Sequence, residues 1–294
     1  MLTTVVELLA KRIWYRTRAR IRRMGSGGAS LGTPITRPST AARLPLELVE
    51  LVFAYLIHDK RSLLSCSLTC YSWYTASVPH LHHSLVVENV SLRDGRRLGW
   101  PKPLQEASKF DLLPLVKKFR VRVGFSDTAM FSPKRFSWGT LRHFSALTSV
   151  QELAIDYLDI PSFMPKLRRY FGHFSPKVRS LTLRKPKGTN RQIISFIGLF
   201  QHLEDLKLLY DVIDPQEPAD DRTLIPSFIP PLRGRLTITC FRKRVGLLED
   251  MVNMFGGIRF RHMDLFNVKG TRLLLGACAE TLETLRLCPT DPHG

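Results

Sequence analysis

One short pattern recurs along the second half of this 294-residue chain and limits what the chain can fold into. The pattern is apolar-x-x-apolar-x-apolar. It occurs at Val150/Leu153/Ile155, Val178/Leu181/Leu183, Leu203/Leu206/Leu208, Phe260/Met263/Leu265 and Leu282/Leu285/Leu287, with a weakened copy at Leu236/Ile238. A single copy means little, because 44% apolar content gives roughly 0.09 chance matches per starting position. The spacing carries the information. The middle positions 153, 181, 206, 236, 263 and 285 are separated by 28, 25, 30, 27 and 22 residues. Helical candidates fill the gaps: SFMPKLRRYFGHF, RQIISFIGLF, GLLEDMVNMF and TRLLLGACAE. Alternating apolar residues mark a strand with one buried face, so the text reads as strand, then helix, repeatedly.

A strand and a helix at such intervals is the signature of leucine-rich repeats, in which each unit buries its apolar face only by stacking on its neighbours. The fold class expected for residues 85–294 is therefore α/β: an irregular leucine-rich-repeat solenoid whose strands form a parallel sheet. The repeats depart from the standard form, because its Asn or Cys position is mostly missing. Residues 85–149 hold further strand-like text (HSLVVENVSL, KKFRVRVGF) that the sequence alone does not phase. Residues between the strand apolars would face the open, concave side. Arg184, Lys207, Leu209, Arg235, His262, Asp264, Phe266 and Arg286 are the expected contacts for a target protein there. Both charge signs together with Leu209 and Phe266 suit a protein ligand better than a uniform phosphate track. The acidic run at 211–221 (DVIDPQEPADD) reads as a surface excursion. Only CPTDPHG follows the last motif, so further chain, a second copy or a partner is expected to cover the apolar end of the array.

Charge is unevenly placed. The whole chain carries 44 Lys+Arg against 25 Asp+Glu, a net +19. Residues 1–43 contribute nine basic residues and one acid, Glu7. Such a field favours anionic partners without choosing among them. The apolar start followed by seven basic residues between Lys11 and Arg23 reverses the order of a secretory signal. It reads as a solvated basic tail, with a mitochondrial presequence as the lesser alternative. Residues 25–42 (GSGGASLGTPITRPSTAA) form a Gly/Ser/Thr/Pro linker unable to bury a core, so 1–42 is expected to be disordered.

Residues 43–84 read as a compact helical unit. Pro45 suits a first helical turn, and Leu48, Leu51, Val52, Tyr55 and Leu56 follow at helical spacing. His58-Asp59-Lys60-Arg61 interrupts the pattern, and a second helix is expected through SLLSCSLTCYSWYTAS. The elements Leu44-Pro45, Glu47-Leu48, Leu64, Leu68, Cys70 and Trp73 closely resemble the F-box, the helical module of ubiquitin-ligase receptor subunits. The wording CSLTCYSW is similar to the F-boxes of a large fungal group with leucine-rich C-terminal regions. Looser similarity to that group runs through PPLRGRLTITCF and CAETLETLRLCPTD. The resemblance implies that a Skp-family adaptor, and through it a cullin, binds here. The residues implicated are Leu44, Pro45, Leu48, Leu51, Val52, Leu64, Leu68, Cys70 and Trp73. Leu68, Cys70 and Trp73 equally suit the unit's own core.

The remaining chemistry is sparse. The chain has no GxxxxGK[ST] loop, no GxSxG elbow and no HExxH pair. Five cysteines without zinc-like spacing read as reduced, mostly buried thiols, and His80, His82 and His83 as surface residues, so neither metal nor cofactor is expected. No apolar run reaches the roughly 18 residues of a membrane span. The function expected is a non-catalytic, substrate-recruiting adaptor of a Skp/cullin/F-box ubiquitin ligase, in cytoplasm or nucleus. The alternative is a basic nucleic-acid-associated protein without a ligase role.

Overall fold

The repeated apolar positions come into register as one continuous stack. The structure is a computed structural model that describes residues 44–89, 102–123, 142–158, 160, 175–209, 231–239, 247–254, 257–266, 268 and 271–288. The N-terminal tail and linker, the helix expected over SFMPKLRRYFGHF, the acidic run at 211–221 and Cys240 lie outside the described residues. The chain divides into two compact units, Met1–His83 and Ser84–Gly294.

Among its described residues the first unit holds three helices: α1 (Leu46–Tyr55), α2 (Lys60–Ser67) and α3 (Tyr71–Leu81). Both α1 and α2 pack on α3. Their core is small: Val49, Phe53 and Leu63, flanked by the half-buried Leu56, Cys66, Trp73, Ala76 and Leu81. Phe53 is its centre, with Trp73 edge-on at 5.6 Å and His80 at 6.1 Å between ring centroids.

Two sequence expectations need correction here. Pro45 lies one residue before the helix, at its N-cap, where its carbonyl accepts from the backbone N–H groups of Leu48 and Val49. The single helix expected over 62–77 is two helices. At the break, Leu68 and Thr69 close tight turns onto the carbonyls of Ser65 and Cys66, and Cys70 is extended at the start of α3. The Ser67 hydroxyl also donates to the Leu64 carbonyl at 2.6 Å, a local bond that competes with helix continuation.

The second unit is an α/β arrangement built on one eight-stranded sheet, every strand parallel to the next and the order following the chain. The strands are β1 (Ser84–Asn89), β2 (Lys118–Val123), β3 (Glu152–Asp156) and β4 (Ser180–Arg184), then β5 (Asp205–Leu209), β6 (Leu232–Thr239), β7 (Ile258–Phe266) and β8 (Thr284–Cys288). Parallel neighbours require crossovers, whose described residues include α4 (Lys102–Lys109), α5 (Asn190–Ile197), α6 (Leu247–Met254), α7 (Thr271–Cys278) and short 3-10 turns. The helices pack in succession, α5 on α6 and α6 on α7.

Register explains the repeat. Leu153, Leu181, Leu206, Leu236, Met263 and Leu285 lie side by side in one ladder, and Leu85 and Phe119 extend it over β1 and β2. A second ladder runs Val87, Val121, Ile155, Leu183, Leu208, Ile238, Leu265, Leu287 by the same pairings. Together with the inner faces of the helices they make a core continuous from Leu85 to Cys278. Helix α5 is enclosed almost completely, and it is fixed by a capping box. The Thr189 hydroxyl accepts from the Gln192 backbone at 3.3 Å, and the Gln192 side chain accepts from the Thr189 backbone at 3.0 Å.

The weakened copy in β6 also has a physical reason. Pairing with β7 shifts between Gly234 and Arg235, so the buried residue before Leu236 is Leu232 rather than position 233. Gly234 has φ +85°, and a Cβ there would lie 2.0 Å from the Glu204 carbonyl oxygen. Only glycine fits this close approach of two backbones. At the other end of the array β8 stands apart. Every residue of it is exposed, including Leu285 and Leu287.

Candidate functional site

Two surfaces remain after the cores are assigned, one on each unit. On the helical unit, α1 is apolar nearly all the way round. One stripe, Val49 and Phe53, turns inward, while Leu44, Leu46, Leu48, Leu51, Val52 and Tyr55 stay exposed. Leu64 and Leu68 of the α2 region join them, so eight large apolar side chains face solvent against three in the core cluster. Soluble proteins rarely leave so much apolar surface uncovered in so small a unit, and such patches mark interaction sites.

The expected adaptor contacts Leu44, Pro45, Leu48, Leu51, Val52, Leu64 and Leu68 are all exposed. Cys70 and Trp73 are half-buried, and Trp73 leans on Phe53. Leu46 and Tyr55 belong to the exposed set without having been singled out as contacts. Tyr55 had carried the signal, since it continues the helical spacing from Leu48, and it is the most exposed of all at 88%.

The turn between α1 and α2 is held by Asp59, whose carboxylate accepts from the backbone N–H groups of Arg61 and Ser62 and from the Ser62 hydroxyl at 2.6 Å. The Ser62 side-chain bond, followed by the backbone bonds, keeps the Asp59 carboxyl below its ordinary range. Burial pushes the Cys66 thiol up, and burial with the neighbouring Tyr71 pushes the Tyr74 phenol up to about 12. The histidine cluster is not a free surface. His80, His82 and His83 are all half-buried, and burial followed by the Lys60 charge lowers the His82 imidazole.

On the second unit, the side chains between the core ladders form the open face of the sheet. The contacts expected for a target all lie on it, in three rows across the strands. Arg235 and His262 share one row, Lys207, Asp264 and Arg286 the second, and Arg184, Leu209 and Phe266 the third. Residues the sequence could not phase extend the same rows onto β2: Lys118, Arg120 and Arg122. Their signal was present, because Val116-x-x-Phe119-x-Val121 is a further copy of the motif.

Charges on this face pair locally. Lys118 meets Glu152 at 2.8 Å, Lys207 meets Asp205 at 3.0 Å, and Arg286 approaches Asp264 at 3.9 Å. Asp205 also accepts from the Ser180 hydroxyl at 2.9 Å, and His262 approaches Glu283 at 3.9 Å. Arg120 and Arg122 share Asp156, each at 3.6 Å. Among the described residues, Arg184 and Arg235 make no ion pair.

Among the described residues no group of three His, Cys, Asp or Glu is placed to hold a metal ion, and no helix is long and apolar enough to cross a membrane. Cys66 and Cys70 are half-buried and Cys278 buried, but Cys288 is exposed on β8, against the expectation of mostly buried thiols.

A family model described as F-box-like matches residues 41–88, the span that holds α1, α2, α3 and their exposed apolar set. Comparisons with curated proteins and with solved structures find no match.

Proposed function

We propose that the chain is the substrate-recruiting subunit of a Skp/cullin/F-box ubiquitin ligase. The F-box-like domain at 41–88 supports an adaptor role at the level of the family. The observation that carries the reading to this chain is the exposed apolar surface of α1 and α2, opposite a core cluster of three buried apolar side chains. A unit with so little interior gains stability by docking its outer face on a partner. The partner is a Skp-type adaptor, and it brings the cullin.

The second unit acts as a leucine-rich-repeat-like array. Its strands stack in chain order with their apolar positions in register, and its open face mixes both charge signs with Leu209 and Phe266. Glu152, Asp156, Asp205 and Asp264 interrupt the cations of that face and would repel a nucleic-acid backbone, which favours a protein target. No bond is made or broken on this chain. Holding target and ligase together raises the effective concentration of the activated ubiquitin at the target's lysines. The complex works in cytoplasm or nucleus.

Co-expression of the tagged chain with a Skp-type adaptor tests the reading. The two co-purify as a stoichiometric complex, and a soluble, folded chain that leaves the adaptor behind would overturn the proposal.

A further inference from the structure

The open face has a charge arrangement that its own residues do not satisfy, centred on β2, β3 and β4. Asp156 sits between Arg122 and Arg184 in one row, with Arg120 beside it. Its side chain is only 6% exposed, and a carboxylate so buried requires compensation by positive charge. Arg120 and Arg122 supply it, but both reach the same oxygen, Oδ2, and both at 3.6 Å. Charge-assisted hydrogen bonds are shorter, about 2.7–2.9 Å. The second carboxylate oxygen of Asp156 and the Nε of Arg120 are buried without a hydrogen-bond partner. Arg184 is exposed on the far side of Asp156 and has no ion pair among the described residues. Asp156 therefore lies in a row flanked by arginines, and Arg184 and the Arg120 Nε carry donors that it does not engage.

The same row then changes character. Leu209 follows Arg184 on β5, and Phe266 lies two strands further, both half-buried. With neighbouring strands about 4.8 Å apart, Arg122 and Arg184 are separated by about 10 Å. A peptide in the polyproline-II conformation, with three residues per turn and about 3.1 Å per residue, puts side chains three positions apart on one face about 9 Å from each other, close to that separation. Leu209 and Phe266 continue the line with apolar contacts.

We infer that this face takes an extended acidic segment of a protein partner, with carboxylates over Arg120, Arg122 and Arg184 and apolar side chains over Leu209 and Phe266. The inference rests on the reading of the open face as the target-holding surface and gives that target a chemistry. Asp156 holds Arg120 and Arg122 in place before the ligand arrives, and the ligand's carboxylates accept from guanidinium donors that Asp156 does not engage.

Fluorescence anisotropy on the full chain purified with its Skp-type adaptor tests this. The probe is a labelled, proline-containing peptide of about ten residues, with two glutamates three positions apart followed by leucine and phenylalanine. Its glutamine counterpart and an oligothymidylate of similar length are the comparisons. The glutamate peptide binds more tightly than the glutamine form, and added salt weakens it. Arg184→Gln reduces its affinity about fivefold, the upper end for an exposed charge pair. Arg191→Gln on the exposed side of α5 leaves it unchanged.

Equal binding of the glutamine peptide, or no binding of either, overturns the inference. So does tighter binding of the oligothymidylate with the same Arg184 dependence, which would assign the face to nucleic acid. A complex that forms with the adaptor yet ignores the glutamate peptide defeats the acidic-ligand inference alone. A chain that fails to co-purify with the adaptor defeats the ligase reading, and the same peptides are then applied to the free chain.

Discussion

Leu48 and Val49 are adjacent in α1, yet they face opposite fates, and aspartate at each separates docking from folding. Leu48 is 48% exposed and Val49 2%. Full burial of a leucine is worth about 1.5–3 kcal/mol, so the half of Leu48 still open to a partner accounts for about 0.7–1.5 kcal/mol. Leu48→Asp removes that and places an unpaired charge in the interface, a further loss of about 3 kcal/mol or more. Together these weaken adaptor binding by more than about 100-fold.

In the free chain the new carboxylate lies in solvent, in the first turn of a helix that starts at Leu46, where the dipole favours negative charge. Stability then changes by no more than about 0.5 kcal/mol. Val49→Asp instead buries the charge beside Phe53 and Leu63 and unfolds the unit. The assay is co-purification with the adaptor alongside thermal melting followed by circular dichroism. Leu48→Asp that co-purifies like wild type refutes the interface, and Leu48→Asp that melts like Val49→Asp refutes the assignment of faces.

Other outcomes follow from the core and its edges. Gly234→Ala forces a Cβ against the Glu204 carbonyl at a positive φ, so urea denaturation shows a loss of about 3 kcal/mol or more, combining backbone strain with a clash no rotamer relieves. Leu208→Ala, fully buried, costs about 2–5 kcal/mol, whereas Leu287→Ala in the same ladder, 55% exposed, costs less than about 1 kcal/mol in the same titration. Thr189→Ala opens the capping box of α5 and lowers the melting temperature by an amount equivalent to about 1 kcal/mol. Burial, and then Lys60, hold the His82 pKa below its ordinary 6.5, so the unfolded chain takes up that proton first. Stability is therefore full above pH 6.5 and declines as pH falls below it, and His82→Gln, compared in denaturant titrations at several pH values, flattens that decline.

The repeat was legible because a parallel stack leaves register little freedom. A slip of one residue would turn every apolar side chain of a strand outward. The sequence positions 153, 181, 206, 236, 263 and 285 accordingly fall in a single ladder. The earlier strands escaped because the spacing there is 34 residues, Leu85 to Phe119 to Leu153, longer than the later steps. The weak copy at β6 escaped explanation because a bulge is a backbone event, visible in sequence only as an unremarked glycine.

In the helical unit the limit was different. Periodicity identifies an apolar stripe only when the opposite side is polar, and α1 offers apolar residues on several sides. Leu48, Leu51 and Val52 were legible as a surface of interest, but Val49 and Phe53 as the inward stripe required the packing of α3. The break at Leu68–Cys70 was illegible too, since it depends on serine hydroxyls bonding locally rather than on Gly or Pro.

The alternation within each strand has an evolutionary consequence. Odd and even positions answer to different selective demands: one set must match its neighbours in the stack, the other only whatever lies over the sheet. Substitutions at Arg184, Thr237 or Phe266 can therefore accumulate without disturbing the ladder of Leu181, Leu236 and Met263 beneath them. A scaffold arranged this way can exchange one clientele for another while its architecture is inherited intact.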